Sequence, residues 1–236
     1  MQRLDKYLVQ EGYFESRNRA IDAIKRGKVF VDGKIAKPST KCNQNSSIDI
    51  DNEKFYISRS AKKLELFLQE YPLDLKEKRA LDIGSSTGGF VQILLENEVQ
   101  SVTAVDVGSN QLHHSLRENP KVIVHENQDI REFESQTPFE VVTSDVSFIS
   151  ILQIIDDIER LSCGDMILLF KPQFEVGRNI KRDSRGVVVD RDAIDRAKER
   201  FEQKASELGW KLCYSTPSKL AGKSGNIEYV YHFRKQ

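Results

Sequence analysis

The stretch Leu81-Asp82-Ile83-Gly84-Ser85-Ser86-Thr87-Gly88-Gly89-Phe90 ends a β-prone run on an acid and opens a helix through a glycine-rich turn. Glycines in such a turn let the backbone approach a bound molecule closely. A dinucleotide turn reads G-x-G-x-x-G; this one reads G-x-x-x-G-G, with Ser86 where the second glycine belongs, which weakens a pyrophosphate-binding reading. A second acid, Asp106 in Ala104-Val105-Asp106-Val107-Gly108, follows at the distance of about twenty residues that suits ribose hydroxyls, which donate to a carboxylate. A third, Asp129 in Asn127-Gln128-Asp129-Ile130, follows the next β-prone run. Each acid alone would serve as a helix cap; three at successive strand ends, with the glycine turn, predict one crevice lined for a ligand.

The elements that must position these residues follow from the pattern. From Arg79 onward, short β-prone runs alternate with helical stretches, which predicts an α/β fold with a doubly wound sheet. The strands are expected at 80–83, 102–105, 122–125, 141–143, 166–170, 212–215 and 227–233, with a helix over 58–70 before them. Residues 1–50 predict a separate small α+β domain, 51–58 a linker and 59–236 the large domain. In the small domain a helix over 3–11 stops at Gly12, Ser16 caps a second helix that Gly27 ends, and Asp32-Gly33 turns a hairpin; a further strand lies around 48–50. Arg19 and Arg26, seven apart, share one face of the second helix, opposite Ala20, Ile21 and Ile24.

Composition narrows the function. Ten Lys/Arg against five acids in residues 1–47 make a basic module on a slightly acidic body, within a net charge of zero. Arg3, Arg17, Arg19, Arg26, Lys28 and Lys34 are therefore candidates for a polyanion partner. The three cysteines and four histidines have no C-x-x-C or H-E-x-x-H spacing, so neither a disulfide framework nor a metal site is expected, and a reducing cytoplasm fits. The longest apolar run, Met166 to Phe170, is far short of the ~18 residues of a membrane span. Between Pro172 and Asp190 the chain is too polar for a regular element; its Arg178, Lys181 and Arg182 suit either an RNA-contacting lid or a disordered surface loop.

Three resemblances follow. The segments R-L-D-K-Y-L, S-R-N-R-A and I-K-R-G-K-V-F-V-D-G-K resemble the S-four domain, a small RNA-binding fold. The glycine turn resembles the cofactor loop of S-adenosylmethionine enzymes with a class I, Rossmann-like sheet. That resemblance implies that Asp82 offsets the cofactor's positive charges within the loop Gly84, Ser85, Gly88, Gly89 and Phe90. It places Asp106 and Val107 at the ribose, Asp129 and Ile130 at the adenine, and Asp145 beside the cofactor. The stretches S-T-G-G-F, D-V-S-F-I-S, K-P-Q-F-E-V-G and S-G-N-I-E-Y resemble the TlyA (hemolysin A) family of ribosomal RNA 2′-O-methyltransferases over essentially the whole chain. By that resemblance Lys63, Asp145, Lys171 and Glu228 form a Lys-Asp-Lys-Glu catalytic tetrad.

A ribose hydroxyl is a poor nucleophile, so its proton must go to a positioned base during in-line attack on the methyl group. A second lysine and a cationic cofactor each disfavour an ammonium ion, which makes Lys171 the expected base, with the acids orienting the lysines. The fourth strand's text, Thr143-Ser144-Asp145-Val146-Ser147-Phe148, has neither the Asn/Asp-Pro-Pro-aromatic signature of base-amine methylation nor a cysteine nucleophile. A pore-forming haemolysin and a nonenzymatic RNA-binding factor are the rival classes. The first lacks a spanning segment, and the second would not need the glycine turn and all four tetrad members. The family has a longer form acting on both ribosomal subunits and a shorter one acting on the large subunit. With a small domain starting almost at Met1 and only eight residues after Glu228, the shorter form's substrate, a cytidine of large-subunit RNA, is expected.

Overall fold

The computed structural model describes every residue except Glu15, Asn52, Glu53 and Gln236. The chain divides into two compact units, Met1–Phe55 and Tyr56–Gln236. The expected 51–58 linker includes Asn52 and Glu53 and to that extent lies outside the described residues.

The first unit runs β1 (Gln2–Arg3), α1 (Leu4–Gln10), α2 (Arg17–Lys25), β2 (Val29–Val31), β3 (Lys34–Ile35), β4 (Lys41–Cys42) and β5 (Ile48–Ile50). Ser16 accepts a hydrogen bond from the Arg19 amide and starts α2. Asp32 and Gly33 both have positive φ, the tight hairpin conformation that brings β3 beside β2, while β5 pairs with the other edge of β2. Leu4, Leu8, Ala20, Ile24, Val29 and Val31 close the core. The pairing of β1 with β4 has no sequence signature, because two polar residues per strand show no alternation.

The second unit begins with α3 (Arg59–Glu70) and continues β6 (Arg79–Ile83), α4 (Gly89–Glu96), β7 (Ser101–Asp106), α5 (His114–Arg117), β8 (Val122–Glu126) and β9 (Phe139–Ser144). Then come α6 (Ile155–Leu161), β10 (Ser162–Phe170), α7 (Pro172–Glu175), α8 (Arg191–Glu207), β11 (Trp210–Pro217) and β12 (Tyr229–Lys235). All seven strands form one sheet in the order β11-β12-β10-β9-β6-β7-β8; β6 to β10 are parallel and β12 is antiparallel to both neighbours. This is the doubly wound class the pattern predicts. Both faces are covered: Ala80, Val102, Val141 and Ile167 pack with α3 and α4, and the alternate residues Leu81, Val105, Val142 and Leu168 pack with α6 and α8. Burial on both faces is why these strands read as continuous apolar runs. The chain order reverses between β6 and β9, and the crevice outside their carboxyl ends is where a ligand binds in such sheets.

The polar stretch after β10 contains the one-turn helix α7 and a bridge between Arg182 and Val188. The Arg182 guanidinium donates to the carbonyls of Gln173, Gly177, Arg178 and Ile180, so the loop folds around a cation at its centre.

Candidate active site

At the carboxyl ends of β6 and β9 opens a cleft of about 560 Å³. Asp82, in the penultimate position of β6, is 1% exposed and accepts a hydrogen bond from Thr143 Oγ1 at 2.7 Å. Burial pushes its carboxyl up to about 7, helped by the charges of Asp145 and Asp106 and opposed by the Thr143 hydroxyl. A group so placed gains from a cation in the cleft. The turn that follows, Gly84 to Thr87, and the buried Phe90 form one wall.

Gly89 has a different task from admitting a ligand. A Cβ there would stand 2.1 Å from Ser60 Oγ, 2.2 Å from Ser58 Oγ and 2.8 Å from the Ala61 nitrogen, so glycine lets the amino ends of α3 and α4 meet. That junction brings Ser58, Arg59, Ser60 and Lys63 to the opposite wall of the cleft.

Lys171, directly after β10, is 6% exposed. Its ammonium contacts Asp145 Oδ1 at 2.6 Å and donates to the Asp145 carbonyl at 3.1 Å and to Ser147 Oγ at 2.8 Å. Two of its donors are thereby used, on the Asp145 carbonyl and the Ser147 hydroxyl, while the Asp145 carboxylate balances its charge. Lys63, one turn into α3, pairs with Glu228, whose other oxygen accepts from Gln173 Nε2 at 3.2 Å. The two lysines thus line one cleft, each held by its own carboxylate rather than in a single mixed cluster. Glu228 enters only because β12 runs antiparallel: the start of that strand stands beside the end of β10, where Tyr229 is opposite Phe170.

Other expected residues stand apart from the cleft lining. Asp106 accepts from the amides of Ser86 at 2.8 Å and Gly108 at 2.7 Å, tying the glycine turn to the next strand; Val107 is exposed beside it. Asp129 is held by the Arg131 guanidinium, which lowers its carboxyl to about 2, and the Ile130 side chain belongs to the core. Gly88 packs against Leu112 and Leu116. In the first unit, Arg3 and Arg17 flank the buried Asp5 and lower it to about 2, yet each stays half exposed. Arg26 pairs with Asp22 and Lys28 with Asp51; Arg19 and Lys34 are exposed, as are Arg178 and Lys181 in the second unit.

Three features escaped sequence reasoning. Lys223 and Arg59 add cations to the cleft wall, the latter donating to the Ala221 carbonyl at 3.0 Å. Glu126, ending β8, gathers the amides of Asn110, Gln111 and Leu112 into the loop after β7, and an acid after a β run was its only signal. Phe148, three residues past Asp145, is 92% exposed with φ of 69° and packs on Phe174 at 5.4 Å. An exposed aromatic on left-handed backbone is strained, and such strain gathers at functional sites. Among the described residues no helix is long and apolar enough to cross a membrane, and no cluster of His, Cys, Asp and Glu is suited to a metal ion.

Comparison with known proteins agrees with this geometry. Residues 56–235 match the model of FtsJ-like methyltransferases, and residues 2–48 that of the S4 domain. The chain is 46% identical to the 23S rRNA (cytidine-2′-O)-methyltransferase TlyA of Campylobacter jejuni, covering 93% of this chain and 94% of that one. It is 36% identical to the 16S/23S rRNA (cytidine-2′-O)-methyltransferase TlyA of Mycobacterium tuberculosis, covering 99% and 90%. A solved structure of a Streptococcus thermophilus protein described as a hemolysin superposes with a TM-score of 0.73 at 31% identity, covering 100% of this chain and 88% of that one.

Proposed function

The chain belongs to the FtsJ-like methyltransferase family, and from that premise we propose that it transfers a methyl group from S-adenosylmethionine to the ribose 2′-hydroxyl of a ribosomal RNA cytidine. The observation that carries the reading is the pairing of Lys171 with Asp145 and of Lys63 with Glu228 around the cleft that the glycine turn lines. When bound, the cofactor supplies an electrophilic methyl on a cationic sulfur. The cleft fits such a group, because the buried Asp82 carboxyl is ion-paired with no cation among the described residues and gains one on binding.

Asp82, Gly84, Ser85 and Phe90 hold the cofactor, with Gly88 and Gly89 shaping the turn. Asp106, beside Val107, keeps a second lone pair on each oxygen and accepts from ribose hydroxyls. Asp129, with Ile130 anchoring its loop, would accept a hydrogen bond from the adenine amino group. As the neutral amine, Lys171 takes the hydroxyl proton of the target ribose and becomes the ammonium ion that Asp145 and Ser147 hold. Phe148 offers a face on which the target base stacks, the common way proteins hold an unpaired RNA base. The S4 domain grips phosphates through Arg19 and Lys34, joined by Arg3, Arg17, Arg26 and Lys28; the exposed Arg178 and Lys181 add to this from the loop after β10, which Arg182 shapes.

The greater identity with the Campylobacter enzyme supports a large-subunit cytidine as the substrate, and ribosomal RNA as substrate supports a cytoplasmic location. The test is mass-spectrometric mapping of ribose methylation on ribosomal RNA from cells with and without the gene. An unchanged map overturns the proposal.

A further inference from the structure

Resting on that reading, we infer that Gln173 is a positioning residue for the Lys63–Glu228 half of the site. Glu228 is 3% exposed and its two oxygens are divided: Oε2 holds Lys63, and Oε1 accepts from Gln173 Nε2 at 3.2 Å. The amide can face Glu228 in one sense only, since turning it would set two oxygens against each other. Its own Oε1 is buried without a hydrogen-bond partner among the described residues. Gln173 therefore leaves one polar atom unsatisfied while giving its donor to Glu228, an arrangement that packing alone does not require.

The amide is itself held in place. Arg182 Nη2 donates to the Gln173 carbonyl at 3.2 Å, and the same guanidinium ties together the loop that follows. From the other side Asn226, 4% exposed, accepts from the Val188 amide at 3.0 Å and donates to the Gly186 carbonyl at 3.4 Å, two residues before Glu228. Gln173 thus reaches Glu228 from a segment fastened at both ends, and a preorganised donor holds a carboxylate better than a mobile one.

The test uses the full-length protein and two readouts. In Gln173→Leu, Glu228 loses its second partner and Lys63 loosens, so acylation by a small amine-reactive ester, followed by peptide mass spectrometry, should rise at Lys63 relative to Lys171. A hydrogen bond to a charged group sets the size at roughly tenfold or more. Lys171 shares the cleft and is the internal control. In Gln173→Glu a second acid faces Glu228, and the acid limb of the single-turnover methyl-transfer profile should move to higher pH by about one unit. Gln173→Met, unbranched and of similar volume, replaces the leucine variant should that fail to fold. An unchanged Lys63 to Lys171 labelling ratio in the apolar variant overturns the inference. Because labelling needs no RNA, its result is independent of the methyltransferase reading, which fails instead if the wild-type protein transfers no methyl group to ribosomal RNA.

Discussion

Asp82 is ionised only in part near neutrality, since its carboxyl sits at about 7. A cationic ligand favours the ionised form, so cofactor affinity measured by calorimetry should fall as pH drops below about 7, by up to tenfold per unit. The same shift acts on stability. The folded chain keeps a proton on Asp82 that the unfolded chain gives up near its ordinary value of 3.8, so this contribution is full below that value and is lost as pH rises through about 7. Asp82→Asn should therefore stabilise the ligand-free protein at pH 8 by on the order of 2 kcal/mol while weakening cofactor binding. A thermal melt showing a less stable variant would argue against a raised carboxyl. Lys171→Ala should leave cofactor affinity within a few-fold and lower methyl transfer by roughly 10²- to 10⁴-fold, the usual loss of a general base. Activity near wild type would move that role to Lys63. These residues were legible because each stands in a short motif. Phe148 was not, because its prominence depends on a positive φ that no residue type announces, and Gln173 was not, because its contact lies 55 residues away.

The parallel strands were legible as apolar runs, since burial on both faces leaves no polar alternate positions. The stretch after β10 was open between a lid and a disordered loop because its order comes from Arg182 bonding carbonyls, which sequence does not reveal. The α3–α4 junction was hidden too: Gly89 reads as part of a ligand turn, whereas its missing Cβ admits Ser58 and Ser60. Gly89→Ala should accordingly separate the two helix ends at a cost of about 1–3 kcal/mol, and a denaturation midpoint equal to wild type would remove that role. In α2, the exposed Arg19 tests the phosphate contact. Arg19→Glu should lower both the affinity for ribosomal RNA and its salt slope, and an affinity independent of salt would exclude the contact.

At the scale of the chain, the charge asymmetry separates a basic RNA-binding unit from the unit that does the chemistry. Substrate range is tested by incubating the protein and labelled cofactor separately with unmodified small and large ribosomal subunits. Label is expected in the large subunit, and efficient labelling of the small one would show a range like that printed for the mycobacterial relative. The antiparallel course of β12 also orders events during synthesis. The basic unit is made first and has its own core, whereas the ion pair of Lys63 joins residues 165 apart and waits for the strand that follows Glu228. Domains fold in turn as they emerge from the ribosome. On the proposed function, a growing chain therefore acquires its grip on RNA well before it can transfer a methyl group, so an incomplete copy would occupy its target RNA without marking it.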